Sequence, residues 1–382
     1  MVLLPQGSQA PDPLIGTLVG GRYRVTGVLG TGGMGRVYAA VQEGLGRPVA
    51  LKVLLAGKAW DGDPLHQERF VREAEGASAL NHPNIVSVYD FGLLPDGRPY
   101  LAMEHLVGLS FAEVVVRDGP LPLSKVADLI RQAASALDAL HSIGVVHRDV
   151  KSENLVLAEL PDGQPIVKLI DFGLVALADR HRLTKKGFVV GTPDFVAPEA
   201  LELDHVLPDR RADVYSLAVV AFELLSGAMP YEAESMKKLL AAKLRGRHRS
   251  LSEAAGFDFH RDLEALIAQG LARRPNERFT SAGAFAAALT TVAREGSGAK
   301  ATRPIDLVRR REPERDTEPT ERPTADNVWS FAGDNLVIEA STLESLSRSA
   351  ALRRRAKEAW FLLGAVVLAI TLVVVAAWLA SS

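Results

Sequence analysis

The stretch VVHRDVKSENLVL, Val145 to Leu157, places charged and amide side chains between two short apolar runs. Asp149 is followed by Lys151 and then by Asn154, and a second acid, Asp171, ends the apolar run in VKLIDFGLV. A solvated turn would explain polar residues, but not this combination of groups. Two carboxylates and an amide suit a magnesium ion and a hydroxyl nucleophile, because hard oxygen ligands hold the ion that neutralises a nucleotide triphosphate.

A second motif, LGTGGMGRVY, has Gly30, Gly32 and Gly35 in G-x-G-x-x-G spacing, which lets backbone amides approach a phosphate closely. Taken alone the signal is weak, because a hairpin turn or a dinucleotide site would also use it. A dinucleotide motif should open into a helix, whereas residues 37–41 continue as a strand. The context favours a hairpin that covers phosphates.

Lys52 lies inside the apolar strand RPVALKVL, where an unpaired ammonium would be costly to desolvate. The predicted helix near Leu65 to Leu80 offers three acids, Glu68, Glu73 and Glu75. Of these, Glu73 shares a helical face with apolar residues, so it is the predicted partner. The alternative is a surface lysine whose stem covers apolar residues while its ammonium stays in water.

The elements that must position these groups fall into two parts. Alternating apolar and polar residues predict strands in YRVTGVLG, RVYAAVQ, RPVALKVL, NIVSVYDFG and RPYLAME. After Gly108 a helical period appears in LSKVADLIRQAASALDALHSIG, ADVYSLAVVAFELLSG and HRDLEALIAQGLA. A small strand-rich lobe therefore precedes a larger helical lobe, with a cleft between them.

Composition limits the chemistry further. The chain has 382 residues, 47% hydrophobic and 24% charged, which is ordinary for a globular protein. It contains no cysteine, so disulfides, thiolate zinc sites and a cysteine nucleophile are excluded. A net charge of -2 gives no general reason to bind nucleic acid.

The two ends of the chain differ in character. The N-terminus lacks the basic start and long apolar core of a signal peptide, so the first domain is expected in the cytosol. Residues 359–380 carry no charge and are long enough to span a bilayer, which predicts a transmembrane helix; a buried C-terminal helix is the alternative. Arg353, Arg354, Arg355 and Lys357 precede this segment and only two residues follow it, so the positive-inside rule places the rest in the cytoplasm.

Taken jointly and in this order, the motifs resemble those of eukaryotic-like (Hanks-type) bacterial serine/threonine protein kinases, from about Tyr23 to Ala293. The resemblance implies an α+β, two-lobed protein kinase fold. The expected organisation is an N-terminal extension at 1–21, a kinase domain at 22–295 with lobes at about 22–107 and 108–295, a flexible linker at 296–358 and the membrane helix at 359–380.

The resemblance also implies ATP and Mg²⁺ as cofactors. Asp149 would orient the substrate hydroxyl and accept its proton, while Lys151 would stabilise the transferring phosphoryl group. Lys52, paired with Glu73, would hold the α- and β-phosphates. The magnesium ligands would be Asn154 and Asp171. The ATP-binding residues would be Gly30, Thr31, Gly32, Gly33, Gly35, Val37, Ala50, Lys52, Glu104, Leu106 and Leu155.

GTPDFVAPE, Gly191 to Glu199, resembles the family's segment for docking protein substrates, with Thr192 expected to bond Asp149 and Lys151. By the same resemblance Glu199 would pair with Arg278, and Asp213 would brace the catalytic loop.

Two departures from the family pattern stand out: Ser152 where proline is common and Ala218 where glycine is common. Neither removes a catalytic group.

Two residues carry a regulatory hypothesis. Arg148, just before the catalytic aspartate, resembles the arginine that binds an activation-loop phosphate. Thr184 in HRLTKKGF would then be the autophosphorylation site. It could instead be an ordinary exposed threonine, with Lys185 and Lys186 serving substrate docking.

The prediction is a membrane-tethered serine/threonine protein kinase that uses Mg-ATP, faces the cytoplasm and self-associates for trans-autophosphorylation. Its partners would be ATP, protein substrates and the membrane, with no nucleic acid. A small-molecule phosphotransferase would lack the docking segment. A silent scaffold would lack a catalytic group, and a membrane adaptor would leave the catalytic set unexplained.

Overall fold

The fold is taken from a computed structural model that describes residues 12–32, 35–54, 80–160, 162–171, 193–201 and 208–296. The predicted helix from Leu65 lies outside these ranges up to residue 79, as do residues 297–358 of the predicted linker and the predicted membrane segment at 359–380. Within the described ranges, no helix combines the length and apolar composition needed to cross a membrane.

The first lobe is built on an antiparallel sheet with the strand order β1-β2-β3-β4-β6-β5. Its strands are β1 (Leu18–Val19), β2 (Tyr23–Gly32), β3 (Gly35–Gln42), β4 (Arg47–Leu54), β5 (Val88–Leu93) and β6 (Pro99–Glu104). The five predicted strands are therefore confirmed. The additional β1 pairs with β2 and lies in the stretch that was expected to form an N-terminal extension.

The two faces of β4 explain how the sheet presents Lys52. Val49, Leu51 and Val53 are buried in the core of the first lobe. Ala50 alternates with them and packs into the larger core that the two lobes share. Because successive side chains in a strand point to opposite faces, Lys52 lies on the face of Ala50, toward the second lobe.

The second lobe is mainly helical. Its helices are α1 (Phe111–Asp118), α2 (Leu123–Ser142), α3 (Arg210–Ser226), α4 (Met236–Arg245), α5 (Leu251–Ala255), α6 (Arg261–Gly270) and α7 (Ala282–Gly296). A small antiparallel sheet adds β7 (Gly108–Ser110), β8 (Leu155–Glu159) and β9 (Pro165–Leu169). Helices α2, α3 and α6 confirm the three helical patterns found in the sequence.

Helix α3 is the centre of the second lobe. It begins after Asp209, whose carboxylate accepts from the backbone N–H of Arg211, and ends at Gly227 in the left-handed conformation. All residues of this helix are buried except Arg210, Arg211 and Glu223. The sequence pattern predicted the helix correctly. The helix is buried on all sides, however, whereas a helix at the surface of a protein has apolar residues along one side only.

The lobes also meet through the chain segment before β5. The predicted strand NIVSVYDFG begins earlier than β5, and its Ile85 forms a parallel bridge with Leu169 at the end of β9. The N–H of Val86 donates to the carbonyl of Leu169 at 3.0 Å. This contact fixes the end of β9, and hence Asp171, against the first lobe.

Candidate active site

The catalytic loop is held by the buried carboxylate of Asp213 on α3. Its Oδ2 accepts from the backbone N–H of His147, and its Oδ1 accepts from the N–H of Arg148, both at 2.8 Å. The Nε2 atom of His141 on α2 lies 2.7 Å from the same carboxylate. These contacts stabilise Arg148 at a φ of 65°, a left-handed conformation that non-glycine residues rarely adopt.

His141 carries charge in this network. Burial opposes protonation of its ring, but the carboxylates of Asp138 and Asp213 outweigh burial and raise the pKa of His141 to about 9. The Nδ1 atom lies 3.9 Å from Asp138 Oδ1, which is an ion-pair distance rather than a hydrogen bond. At neutral pH the imidazolium and Asp213 therefore form a charge-assisted pair beneath the catalytic loop.

Asp149 and its neighbours form one side of the site. A short 3-10 turn over Ser152–Asn154 brings Asn154 back toward Asp149. The Nδ2 atom of Asn154 donates to the carbonyl of Asp149 at 2.8 Å and to its Oδ2 at 3.0 Å. Lys151 Nζ lies 3.5 Å from the same carboxylate oxygen. The acid, the amine and the amide that the sequence predicted as a group thus lie together.

Lys52 and Asp171 form the other side. Lys52 Nζ lies 2.7 Å from Asp171 Oδ1, so the strand lysine has the anionic partner it needs. Burial opposes ionisation of Asp171, but the ammonium of Lys52 outweighs it and holds the pKa of this carboxyl below its usual value. The Ile170 N–H donates to the carbonyl of Asn154 at 2.9 Å, which places Asp171 beside Asn154.

Asp171 is the second described residue with a strained backbone, at a φ of 58°. Together with Arg148 it accounts for every non-glycine residue of positive φ in the described ranges. Both lie beside the predicted catalytic groups, as expected when local strain is held by the surrounding structure at a functional site.

The glycine-rich segment is a hairpin, as predicted. Strand β2 continues to Gly32 and β3 starts at Gly35, with Gly30 opposite Val37 and Thr31 opposite Arg36. A side chain at Gly35 would collide with the backbone carbonyl of Val53, so this position requires glycine for close approach to β4.

Four apolar residues that were predicted to bind ATP form the walls of the cleft. Ala50, Leu106 and Leu155 are buried, and Val37 packs partly buried against the shared core. All four belong to, or pack against, one continuous hydrophobic cluster. These predicted ATP-binding residues therefore line the same region between the sheet and β8.

Glu104, at the end of β6, shows a contact that the sequence did not predict. Its Oε2 accepts from Lys168 Nζ at 2.8 Å and from the backbone N–H of Ser87 at 3.2 Å. Lys168 is a largely buried lysine on β9, so this pair ties the end of β6 to the strand that leads into Asp171. The available signal was a lysine within the apolar strand PIVKL, the pattern that singled out Lys52.

The structure describes residues 193–199 of the docking segment, which are held by contacts from α3, α4 and the turn at Arg278. The predicted pairing of Glu199 with Arg278 is confirmed as two hydrogen bonds of 2.7 and 2.6 Å. The Arg278 side chain is fully buried, and it also donates to three backbone carbonyls, those of Arg211, Ala272 and Arg273. Such a bidentate pair fixes both partners in one orientation.

Ser152, where the family often has proline, makes a specific contact. Its buried hydroxyl donates to Glu223 Oε2 on α3. Burial raises the pKa of Glu223 to about 7, although the Ser152 hydrogen bond lowers it. Serine at position 152 thus adds a hydrogen bond between the catalytic loop and α3. No motif in the sequence indicated Glu223 as its partner.

The oxygen donors fit a magnesium ion. Both hydrogen bonds of the Asn154 amide nitrogen go to Asp149, which leaves its amide oxygen available as a ligand beside the ionised Asp171. Mg²⁺ is usually held by one or two protein oxygens together with water and substrate phosphates. A pair of protein donors next to a phosphate-binding cleft matches that requirement.

The structure therefore brings together five predicted side chains: Lys52, Asp149, Lys151, Asn154 and Asp171. Four other predicted site residues lie outside the described ranges: Gly33, Glu73, Thr184 and Thr192. The predicted pairing of Lys52 with Glu73 and the bonds of Thr192 accordingly stay predictions.

The family of the chain follows from comparison with known proteins. A family model described as "Protein kinase domain" matches residues 23–290, well over half of the chain. The chain belongs to the protein kinase family, and the fold is the two-lobed kinase fold with a strand-rich first lobe and a helical second lobe.

The relatives include bacterial kinases. The serine/threonine-protein kinase pkn3 of Myxococcus xanthus is 36% identical over 297 residues, covering 74% of this chain and 52% of that protein. PknH of Mycobacterium tuberculosis is 37% identical over 281 residues, covering 74% of this chain and 43% of that protein. The chain thus spans about half the length, or less, of these curated relatives.

Solved structures agree with this assignment. The PknI kinase domain of Mycobacterium tuberculosis is 30% identical with a TM-score of 0.57, covering 72% of this chain and 98% of that one. Rad53 in complex with AMP-PNP has a TM-score of 0.57 at 23% identity, which shows a shared fold alone. The domain is therefore a kinase domain of the bacterial serine/threonine type.

Proposed function

We propose that the chain transfers the γ-phosphoryl group of Mg-ATP to serine or threonine hydroxyls of protein substrates, and of its own chain. The observation that carries this proposal is the convergence of Lys52, Asp149, Lys151, Asn154 and Asp171 on one cleft. Three of these side chains offer oxygen atoms that can bind a metal ion or accept a proton, and two carry ammonium groups that can bind phosphate. Phosphoryl transfer requires both kinds of group.

In the proposed reaction the substrate hydroxyl oxygen forms a bond to the γ-phosphorus as the bond to the bridging oxygen of ADP breaks. The hydroxyl proton passes to the carboxylate of Asp149, whose orientation is fixed by the Asn154 amide at 3.0 Å. The ammonium of Lys151, 3.5 Å from that carboxylate, is placed to stabilise negative charge on the transferring group.

Asn154 and Asp171 would hold Mg²⁺, which supplies charge neutralisation on the triphosphate when it is bound. Asp171 is paired with Lys52 at 2.7 Å, so nucleotide binding would redistribute this contact. The ammonium of Lys52 would then turn to the α- and β-phosphates.

A protein acceptor is favoured over a small molecule by the docking segment. Residues 193–199 are tied to the second lobe through the pair of Glu199 with the buried Arg278. A small-molecule phosphotransferase would have no use for a backbone segment fixed beside the catalytic loop. Lys151, two residues after Asp149, favours serine or threonine over tyrosine as the acceptor.

Regulation and location extend the proposal. Arg148, held by Asp213, would bind a phosphate on Thr184 and thereby order the loop that carries it. Residues 359–380 would anchor the protein in the cell membrane as a single span, with the kinase domain in the cytoplasm. Confinement to the membrane would raise the local concentration of copies and so promote trans-autophosphorylation.

The test uses the full chain with labelled Mg-ATP and a histone mixture as acceptor, and Asp149→Asn as the matched variant. We expect labelled serine or threonine in the histone and in the chain itself, reduced at least about 100-fold in the variant, because general-base catalysis contributes about that much. Mass spectrometry of the same reaction should find phosphate on Thr184, and the wild-type protein should sediment with membranes.

Wild-type protein that binds ATP but transfers nothing would contradict the proposal. Transfer without phosphate on Thr184 would remove only the regulatory part, and soluble, active protein would remove only the membrane part.

A further inference from the structure

A buried lysine outside the catalytic cleft holds the docking segment. Lys243 on α4 has a fully buried side chain, although lysine is among the residues least often buried. It belongs to none of the sequence motifs, and it takes no part in the proposed phosphoryl transfer. Burying an ammonium is costly unless it finds strong partners, so its contacts are informative.

The partners of Lys243 belong to the docking segment. Its Nζ donates to the backbone carbonyl of Asp194 and, at 2.9 Å, to that of Val196. The same nitrogen lies 5.2 Å from the ring centroid of Tyr215 and 5.3 Å from that of Tyr231, within the range of cation–π attraction. The two tyrosine hydroxyls are 3.1 Å apart, so the rings form a fixed wall around the ammonium.

The carbonyl of Phe195, which lies between those of Asp194 and Val196, also accepts a hydrogen bond from a side chain. Ser216 on α3 donates its hydroxyl to the carbonyl of Phe195 at 2.8 Å. Three successive carbonyls, at residues 194–196, therefore accept hydrogen bonds from side chains of two different helices. A short segment held at each residue in this way has little freedom to shift, because any movement would leave a buried donor without its acceptor.

We propose that Lys243 and Ser216 are positioning residues that order residues 194–196 and thereby set the affinity for the protein acceptor. This inference rests on the proposed function, since it assumes that an acceptor protein docks on this segment. Neither residue is assigned a part in ATP binding or proton transfer. Their loss should therefore raise the Michaelis constant (KM) for the acceptor and leave the KM for ATP nearly unchanged.

The experiment compares the full-length wild-type chain with Lys243→Met, which keeps most of the apolar volume but cannot donate. The matched control is Lys237→Met on the exposed side of the same helix. With histone as the acceptor, we expect Lys243→Met to raise the acceptor KM about tenfold, the size expected when two buried hydrogen bonds are lost. The control should match the wild type.

The KM readout separates positioning from general destabilisation. A variant that is merely less stable has a smaller active fraction and a lower apparent kcat, but its folded molecules keep the wild-type KM. An unchanged acceptor KM in Lys243→Met, or an equal rise in the KM for ATP, would overturn the inference.

Ser216→Ala keeps the proposal testable if Lys243→Met does not fold, because it removes a single hydroxyl. We expect about a threefold rise in the acceptor KM, as for one neutral hydrogen bond, and an unchanged value would again overturn the proposal. Wild-type protein that fails to phosphorylate any protein would instead mark failure of the proposed function itself.

Discussion

The catalytic loop and the docking segment both pack on α3, but opposite kinds of backbone group hold them. In the catalytic loop, the N–H groups of His147 and Arg148 donate to the carboxylate of Asp213. In the docking segment, the carbonyls of residues 194–196 accept from Lys243 and Ser216. The catalytic loop therefore depends on a buried carboxylate, and the docking segment depends on buried side chains that donate hydrogen bonds.

This difference shows how a buried helix can organise two loops independently. Helix α3 is buried along most of its length, and its buried polar residues include Asp213 and Ser216, one facing each region. Because a buried polar group without a partner is costly, each of them fixes its loop. Substitution of Asp213 should then mainly lower kcat, whereas substitution of Ser216 should mainly raise the acceptor KM.

The largest effect is expected from Asp213→Asn. The amide keeps the size of the side chain but loses the charge, and its NH₂ group would face a backbone donor. Losing the charge weakens the hydrogen bonds from the His147 and Arg148 amides and removes the ion pair with His141, which should lower kcat about 100-fold with a much smaller change in the acceptor KM. Steady-state kinetics with varied acceptor and ATP measures both.

The control for this prediction is Asp209→Asn at the start of the same helix, where asparagine caps as well as aspartate does. It should leave kcat unchanged. Hydrogen exchange of the His147 and Arg148 amides should be faster in Asp213→Asn alone. If kcat in Asp213→Asn stays within a few fold of the wild type, the loop does not depend on this anion.

The second prediction concerns pH, because the catalytic loop rests on a charged histidine. The pKa of His141 is raised to about 9 in the folded protein, from an ordinary 6.5. A raised pKa means that the stabilisation is complete below about pH 6.5 and is lost as pH rises through about 9. Over that window the charged ring contributes up to about 3 kcal/mol.

Urea unfolding of the wild type and His141→Asn at pH 6 and at pH 9.5 measures this contribution. The wild type should be more stable than the variant at pH 6, and the gap should shrink by about 3 kcal/mol at the higher pH. A gap that does not change with pH would show that the ring is not charged in the folded protein.

The sequence predicted the catalytic loop better than the contacts that hold the docking segment. Asp149, Lys151 and Asn154 are close in the chain, so their spacing alone indicates a shared site. Lys243 could not be found in this way, because its partners are backbone carbonyls nearly fifty positions earlier and carry no side-chain signal.

The same reasoning applies to the fold. Long periodic segments such as α2 were predicted, whereas α4 and the short strands β7 and β8 were not. Helix α4, MKKLLAAKLR, has only ten residues, so its apolar period repeats too few times to indicate a helix. Its Lys243 is also buried, whereas a lysine is expected on the polar face of a helix. Tertiary contacts, rather than local periodicity, determine such elements.

The last prediction concerns the tie between Ser152 and Glu223, a second contact of the catalytic loop with α3. Burial raises the pKa of Glu223 to about 7, above its ordinary 4.5. Between these values the folded state binds more protons than the unfolded state, so stability falls as pH rises from about 4.5 to about 7. Ionisation of this carboxylate therefore lowers the stability of the fold.

Glu223→Gln cannot ionise, yet it keeps an oxygen that accepts from Ser152. At pH 8 the variant should therefore be more stable than the wild type by about 3 kcal/mol, and at pH 4.5 the two should be equal, as measured by urea unfolding. Ser152→Ala is the matched control, since it removes the donor and should make the ionised carboxylate costlier at pH 8. A Glu223→Gln variant that is less stable than the wild type at pH 8 would mean that ionised Glu223 supports the loop as Asp213 does, and the contrast between the two carboxylates would then disappear.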